Sequence, residues 1–440
     1  MKPLQIALLG AGTVASGVVQ VLARNREELQ RRAGRGIAIA AIAARNPDKA
    51  RAALGDALPI TTAITTDFMA LATRPDIDIV VELMGGISPA RELVLAAIGA
   101  GKHVVTANKA LLALHGNEIF AAAQSRGVMV AFEAAVAGGI PIIKAVREGL
   151  AGNRIEWIAG IINGTTNFIL SEMRDKGLDF ATALKQAQAL GYAEVDPTFD
   201  IEGVDAAHKA TILCAIAFGV PVQFDRAYVE GITALQAADI RYAEQLGYRI
   251  KLLGITKNTG AGIELRVHPT LIPATRLIAN VEGAMNAVVV QGDAVGPTLY
   301  YGKGAGSEPT ASAVIADLVD VTRLHTADPE HRVPHLAFQP DAMSDLPILP
   351  MDQVVTAYYL RLRVADQTGV LADLTRILAD EGISIDGLIQ REAGEGERQT
   401  DLIILTHDTV EARMNAAIAR MQALPSVHAP IVRIRKEELR

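Results

Sequence analysis

The sequence predicts an α/β chain: a parallel sheet flanked by helices, then an α+β region, and at the end a small βαββαβ sandwich. Three observations carry this prediction. Over the first 130 residues short apolar runs alternate with longer helix-like ones, as in a parallel sheet with crossover helices. From about 131 to 300 the pattern changes to mixed strands and helices. Past a proline-rich stretch at 326–350, the order strand, helix, strand, strand, helix, strand is legible, which is that of a ferredoxin-like unit.

The first region offers strands at Ile6–Gly10, Ile37–Ala44, Ile77–Met84, His103–Thr106 and Val128–Phe132, with helices between them. In the second, Arg154–Ile162 and "IELRVHPTLI" (263–272) read as strands and a long apolar helix begins near Gly203. The stretch "TADPEHRVPHLAFQPDAMSDLPILP" reads as a surface linker, because proline lacks a donor and disfavours helix before it. Beyond it "TAYYLRLRVAD" alternates as a half-buried strand. A helix at 371–381, a strand at 383–391, a Gly/Glu-rich turn, a strand at 399–406, a helix at 409–423 and a strand at 430–435 follow. The expected domains are therefore 1–130, 131–325 and 351–440, with 326–350 as the linker.

The chain has 440 residues, a net charge of -7 and only 4% aromatic residues, which argues against a nucleic-acid surface. Small molecules are the expected ligands. No uninterrupted apolar run approaches a membrane span, and the apolar N-terminal stretch breaks into glycines as a buried strand does, not a signal segment. Cys214, the single cysteine, sits among Ile212, Leu213, Ala215 and Ile216 and reads as a core residue. A cytoplasmic location is expected.

"IALLGAGTVASGVVQVLA" places Gly10 and Gly12 between an apolar strand and a helix. Gly10 permits the tight turn and Gly12 lets the backbone approach a pyrophosphate, while the helix N-terminus offers free N–H groups. Ala15 fills the third position of this G-x-G-x-x-G/A pattern, so a Rossmann-type dinucleotide domain is expected. After the second strand, where an acid usually meets the ribose 2′-hydroxyl, stand Arg45 and Lys49. Cations suit a 2′-phosphate, which favours NADP while leaving NAD possible. The alternative is that Arg45 merely caps a loop and Asp48 serves the ribose.

The segment "GYAEVDPTFDIEGVDAAHK" (191–209) leads five carboxylates into an apolar helix, with Lys209 at the junction. Asp200 reads as a helix N-cap, and Asp205 and Lys209 stand at i and i+4 on one helical face. An exposed pair of that kind contributes a few tenths of a kcal/mol and nothing else. The apolar neighbours Ala206, Ala207 and Ala210 favour a cleft instead. Beside a nicotinamide cofactor, a lysine ammonium can stabilise and protonate the alkoxide that forms when a carbonyl is reduced. Glu194 and Asp200 are then available for a substrate ammonium or hydroxyl. Lys109, in "GKHVVTANKALLA", follows a strand at the sheet edge where ligands bind, although a solvated helix-start lysine has the same sequence appearance.

Taken together, "VELMGG" (81–86), "TANKALLA" (106–113), "FEAAVAGGIPI" (132–142), "GIINGTTNFIL" (160–170), the 191–209 segment and "YYGKGAGSEPTASAV" (300–314) resemble homoserine dehydrogenase along nearly the whole chain. The resemblance implies reversible NAD(P)-dependent interconversion of L-homoserine and L-aspartate 4-semialdehyde, on the route to threonine and methionine. It makes Lys209 the proton donor, Lys109 its assistant near nicotinamide and substrate, and Asp205 the residue that orients Lys209. Glu194 and Asp200 match substrate-binding positions; Thr13, Val14, Arg45, Gly85, Lys109 and Gly306 match cofactor-contacting ones. It also implies a monovalent cation, usually sodium, at Glu133, Val136, Gly138 and Ile140, and a substrate-binding and dimerisation role for 131–325. Lone His268 reads as structural.

"VADQTGVLADLTRILADEGISIDGLIQ" (364–390) is similar to an ACT domain, an amino-acid-sensing module. Asp366, Gly369, Val370 and Leu371 form the loop entering its first helix, where N–H groups suit a ligand carboxylate and Asp366 an ammonium. The implied effector is L-threonine, and the implied assembly a homodimer or homotetramer. The alternatives are a module that only dimerises, another Rossmann oxidoreductase of the sugar or inositol class, and a catalytically silent sensor of NADP and an amino acid.

Overall fold

The computed structural model describes residues 2–390 and 398–440. The end of the expected strand at Arg391 and the Gly/Glu-rich turn after it lie outside the described residues. The chain forms two compact units, one of residues 1–164, 207–225 and 285–346, the other of 165–206, 226–284 and 347–440.

In the first unit the N-terminal sheet is parallel, with spatial order Ala63–Thr65, Ile37–Ala43, Leu4–Leu9, Ile79–Glu82, His103–Thr106, Val130–Ala131. This is the doubly wound order, whose direction of progression reverses beside the first strand. The strands read as continuous apolar runs because helices cover both faces: Ile6, Leu8, Ile79, Val81 and Val105 are fully buried. The short edge strand Ala63–Thr65 escaped the sequence reading, since "TTAITTD" is polar on both sides. Three antiparallel strands, Ile155–Ile161, Met285–Gly292 and Gly296–Lys303, belong to the same unit. The proline-rich stretch does more than connect: His335 accepts a hydrogen bond from the Val130 amide (3.1 Å), and Leu336 is buried.

In the second unit Tyr248–Asn258 and Ile263–Pro273 pair antiparallel over their full lengths. The C-terminal strand Val432–Lys436 lies parallel to Ile263–Pro273 on one side (Thr270 opposite Arg435) and antiparallel to Val355–Ala365 on the other. Gln399–Thr406 and Ile385–Gln390 extend that sheet. The βαββαβ unit is thus present, and its last strand joins it to strand Ile263–Pro273. Helices Val370–Asp380 and Glu411–Gln422 cover one sheet face, burying Leu360, Leu362, Leu374, Leu378, Ile404, Met414 and Met421.

The strand junction carries buried charge. Arg266 bonds Glu264 (2.8 Å) and Glu437 (2.7 Å). Arg435, with no exposed side-chain surface, bonds Glu411 and Glu230. Burying a cation is costly unless its hydrogen bonds are met, and here each guanidinium has two carboxylates. Burial and the adjoining Arg266 and Arg435 guanidiniums hold His268 well below its ordinary pKa. Its ring bonds Arg266 and Thr270, a structural role as the sequence reading had it.

Candidate active site

At the reversal point of the parallel sheet, Gly10 leaves the first strand with φ +105° and its amide donates to the Ala43 carbonyl (2.9 Å). A Cβ there would stand 2.9 Å from the Leu83 carbonyl oxygen, so only glycine fits. A Cβ on Gly12 would meet nothing within 4 Å, which leaves open space over the start of helix Thr13–Arg24. No side chain caps that helix, so its first amides face the open crevice. A second helix, Ser307–Leu324, begins alongside: Ser307 Oγ donates to the Thr13 carbonyl (2.8 Å), and a Cβ on Gly17 would lie 2.4 Å from the Ser307 carbonyl oxygen. Gly306, at φ +126°, is the N-cap of that second helix. Gly10, Gly12, Thr13, Val14 and Gly306 therefore stand together at this end of the sheet, and Gly85 lies on the turn that follows Leu83 and Met84, which Gly10 faces. Ala15 is wholly buried in the adjoining core.

Arg45 is exposed just beyond strand Ile37–Ala43. The following helix is capped by Asn46, whose Oδ1 accepts from the Lys49 amide (2.9 Å).

A residue that sequence reasoning passed over organises this crevice. Glu82, fully buried at the end of strand Ile79–Glu82, accepts from the Met84 and Gly85 amides (2.8 and 3.2 Å) through Oε1 and from the Thr106 hydroxyl (2.7 Å) through Oε2. It ties the Gly85 turn to the strand leading to Lys109. Burial raises its pKa against the pull of those donors. The available signal was a carboxylate closing the apolar run "IVVE". Asn108 next caps helix Lys109–Arg126 through the Leu111 amide and donates to the Gly86 carbonyl (2.7 Å). Lys109 is the first residue of that helix and is half-buried.

Lys209 is 8% exposed, and its Nζ donates to the Ile162 carbonyl (2.7 Å) at the end of strand Ile155–Ile161. An ammonium so buried is not a solvated surface lysine. Asp205 is also buried (2% exposed) on the same helix, Val204–Phe218, one turn earlier. Asp200 differs from expectation: it is no N-cap but lies within a separate short helix, Thr198–Ile201, which Gly203 at φ +84° ends before the long helix begins. Glu194 stands exposed on the loop before it. Cys214 is buried in the long helix.

In the Phe132–Pro141 loop, Glu133 is 1% exposed and its carboxylate accepts from the Ile143 and Lys144 amides (both 2.9 Å). Burial and nearby Asp317 push it up to about 7. Its side chain thus holds the next helical turn, so any cation here would have to be held by the backbone oxygens of the loop. Ala137 and Gly138, at φ +54° and +52°, turn the loop, and a Cβ on Gly138 would lie 2.3 Å from the Gly304 carbonyl oxygen. Val136 and Ile140 are buried, and Ile140 also accepts from the Ile142 amide (2.8 Å). Such hard carbonyl donors fit a monovalent or alkaline-earth ion better than a soft one. Among the described residues no cluster of His, Cys, Asp or Glu could hold a metal.

In the C-terminal sheet unit, Gly369 (φ +94°) is the N-cap of helix Val370–Asp380 with no side-chain capping bond. Asp366 is exposed, its amide bonded to the Arg398 carbonyl (2.9 Å); Val370 is buried and Leu371 is 38% exposed. No helix among the described residues is long and apolar enough to cross a membrane.

Three family models match in register with this anatomy: "Homoserine dehydrogenase, NAD binding domain" over 10–133, "Homoserine dehydrogenase" over 141–319, and "ACT domain" over 358–426. The chain is 62% identical to the homoserine dehydrogenase of Pseudomonas aeruginosa and 58% to that of Neisseria gonorrhoeae, each over the full length of both chains. Its fold is similar to the crystal structure of a homoserine dehydrogenase from Thiobacillus denitrificans, with TM-score 0.95 and 67% identity, covering 100% of this chain and 99% of that one. A hyperthermophilic archaeal homoserine dehydrogenase in complex with NADPH is similar over 74% of this chain and 99% of that one, with TM-score 0.63 and 25% identity. The chain matches relatives of its own length from end to end, and it belongs to the homoserine dehydrogenase family.

Proposed function

We propose that this dehydrogenase interconverts L-homoserine and L-aspartate 4-semialdehyde, with Lys209 moving the proton at the substrate's C4 oxygen. The burial of the Lys209 ammonium, on a helix that also carries Asp205, is the observation that carries the reading. A nicotinamide cofactor supplies the hydride acceptor or donor. The chain's own residues do the rest: Gly10, Gly12, Thr13, Val14, Gly85 and Gly306 hold the dinucleotide, and Lys109 supports the substrate oxygen. Asp205 orients Lys209, while Glu194 and Asp200 hold the substrate's amino end. In a site shielded from water, an ammonium stabilises developing alkoxide charge far better than it would in bulk solvent. Replacing Lys209 by Met should lower kcat by about 10²–10⁴-fold with NADPH affinity nearly unchanged. Retained turnover in a folded variant would remove Lys209 from the chemistry.

NADP is the preferred cofactor in this reading, because Arg45 stands exposed beyond the second strand where a 2′-phosphate would lie. The archaeal relative's complex with NADPH supports the same preference. The loop carbonyls of Glu133, Val136, Gly138 and Ile140 hold sodium as a structural ion. Residues 1–130 act as the dinucleotide domain, 131–325 as the substrate and dimerisation domain, and 351–440 as a sensor in which Asp366, Gly369, Val370 and Leu371 receive L-threonine as feedback inhibitor. The assembly is a homodimer or homotetramer in the cytoplasm.

A further inference from the structure

The strands Ile79–Glu82 and His103–Thr106 run parallel and end side by side, with Glu82 opposite Thr106 in the register. Past that point the ladder adds one last, longer contact, the Ala107 amide to the Glu82 carbonyl (3.4 Å), and the two chains part. One leads to the Gly85 turn and the other to Lys109. Side chains carry the connection across the gap. The Thr106 hydroxyl donates to Glu82 Oε2 (2.7 Å) and accepts from the Asn108 amide (3.0 Å). Asn108 Nδ2 donates to the Gly86 carbonyl (2.7 Å), while Glu82 Oε1 takes the Met84 and Gly85 amides. The turn is thus held at its amides by Glu82 and at the Gly86 carbonyl by Asn108, and the two holders meet at one hydroxyl.

Glu82, Thr106 and Asn108 are all buried. In a low-dielectric interior a closed ring of hydrogen bonds is stiff, because no member can swing away without stranding a buried polar group. The two outer ends of the ring differ. A Cβ on Gly85 or Gly86 would meet nothing within 4 Å, so the turn is open on its far side to a bound molecule. At the other end Asn108 Oδ1 accepts from the Leu111 amide (3.1 Å) and fixes the start of the helix whose first residue is Lys109.

We propose that Glu82 and Thr106 are positioning residues that make the Gly85 turn and the start of the Lys109 helix one mechanical piece, so that a dinucleotide ordering the turn also sets Lys109 for the substrate oxygen. The inference rests on the cofactor role of Gly85 and the substrate role of Lys109 proposed above. Both residues act through Lys109. Misplacing a catalytic group by about 1 Å costs on the order of a hundredfold in rate, so a broken ring lowers kcat. Glu82 keeps its hold on the turn amides when the hydroxyl is lost, so cofactor affinity is largely spared.

The test compares Thr106→Val, which keeps the shape and loses the hydroxyl, with Thr106→Ser, which keeps the hydroxyl and loses a methyl group. If Thr106 only packs, valine is the milder change; if the ring positions Lys109, serine is. Thr106→Val should lower kcat about tenfold or more with NADPH affinity, read by fluorescence titration, nearly unchanged, and Thr106→Ser should recover most of the loss. Thr106→Ala, which also lacks the hydroxyl, should follow Thr106→Val in every measurement. In a Lys109→Ala background Thr106→Val should lower kcat no further, because changes that act through one group do not add. A second readout needs no turnover: NADPH should slow hydrogen–deuterium exchange at the Gly85 and Leu111 amides of the full wild-type chain, and at Gly85 alone in Thr106→Val. Three results would overturn the proposal: a greater loss in Thr106→Ser than in Thr106→Val, full additivity with Lys109→Ala, or equal protection of Leu111 in the wild type and Thr106→Val. Full turnover in Lys109→Ala would instead remove the substrate role of Lys109, and exchange at Leu111 would still decide whether the ring transmits cofactor binding.

Discussion

Acidification should strip stability from the first unit through two histidines that serve as hydrogen-bond acceptors. His103 Nδ1 accepts from the Met129 amide (2.9 Å), and His335 Nε2 accepts from the Val130 amide (3.1 Å), so consecutive backbone donors depend on imidazole lone pairs. Burial first, with Arg332 nearby, lowers both rings to about 4. Protonation would replace each acceptor by a cation facing an N–H. Because the folded pKa lies below the unfolded value of about 6.5, the unfolded chain takes up protons first as pH falls. The contribution is complete above about pH 6.5 and is lost progressively toward pH 4.

For His103, which is 7% exposed, the loss is about 2 kcal/mol at pH 5 and about 3 kcal/mol below pH 4. His335, lowered to about 4 as well, should add a loss of similar size. Hydrogen–deuterium exchange at each imidazole C2, read by mass spectrometry, gives the titration midpoint of each ring directly. Melting temperatures from pH 7.5 to 5 should fall more steeply for the wild type than for His103→Gln, whose amide oxygen accepts the Met129 N–H without titrating. A His103 midpoint near 6.5, or equal slopes in the two proteins, would refute the reasoning.

Three further outcomes are expected besides the loss of turnover in Lys209→Met. Arg45→Ala should raise the KM for NADPH at least several-fold more than that for NADH; equal effects would remove the 2′-phosphate contact. Gly138→Ala combines a left-handed φ with a Cβ 2.3 Å from the Gly304 oxygen, so it should cost about 2 kcal/mol or more in thermal or denaturant unfolding. Arg435→Met leaves Glu411, 2% exposed, without its closest cation and should destabilise the second unit by about 3–5 kcal/mol; a melting point within a degree of the wild type would show that the junction relaxes.

The regular elements were legible because their signals are local. Strands such as His103–Thr106 are apolar on both faces and glycines punctuate the first turn; alternation located the strand Val355–Ala365, although it is buried on both faces and not half-buried as expected, because helices cover one face and the rest of the unit packs on the other. Lys209 was legible for the same reason, as an ammonium at the mouth of an apolar helix. What escaped depends on partners distant in sequence. Glu82 gains its meaning from Thr106 and the Gly85 turn. Asp200 was read as a cap because one residue's neighbours cannot show that Gly203 splits the segment into two helices. Glu133 was grouped with cation ligands, and nothing local revealed that its carboxylate holds the amides of Ile143 and Lys144.

The strand Val432–Lys436 imposes an order on how the protein comes into being. It is the segment that joins Ile263–Pro273 to Val355–Ala365 and brings Arg435 to Glu230 and Glu411. Until it emerges from the ribosome, Thr270, Leu271 and one edge of Val355–Ala365 lack their strand partner and Glu411 lacks its guanidinium. The second unit therefore completes only after this strand has been synthesised, through pairings of large sequence separation that form slowly. A nascent or prematurely terminated chain presents an open strand edge in the meantime, which is where chaperone engagement, or aggregation in its absence, is expected to concentrate.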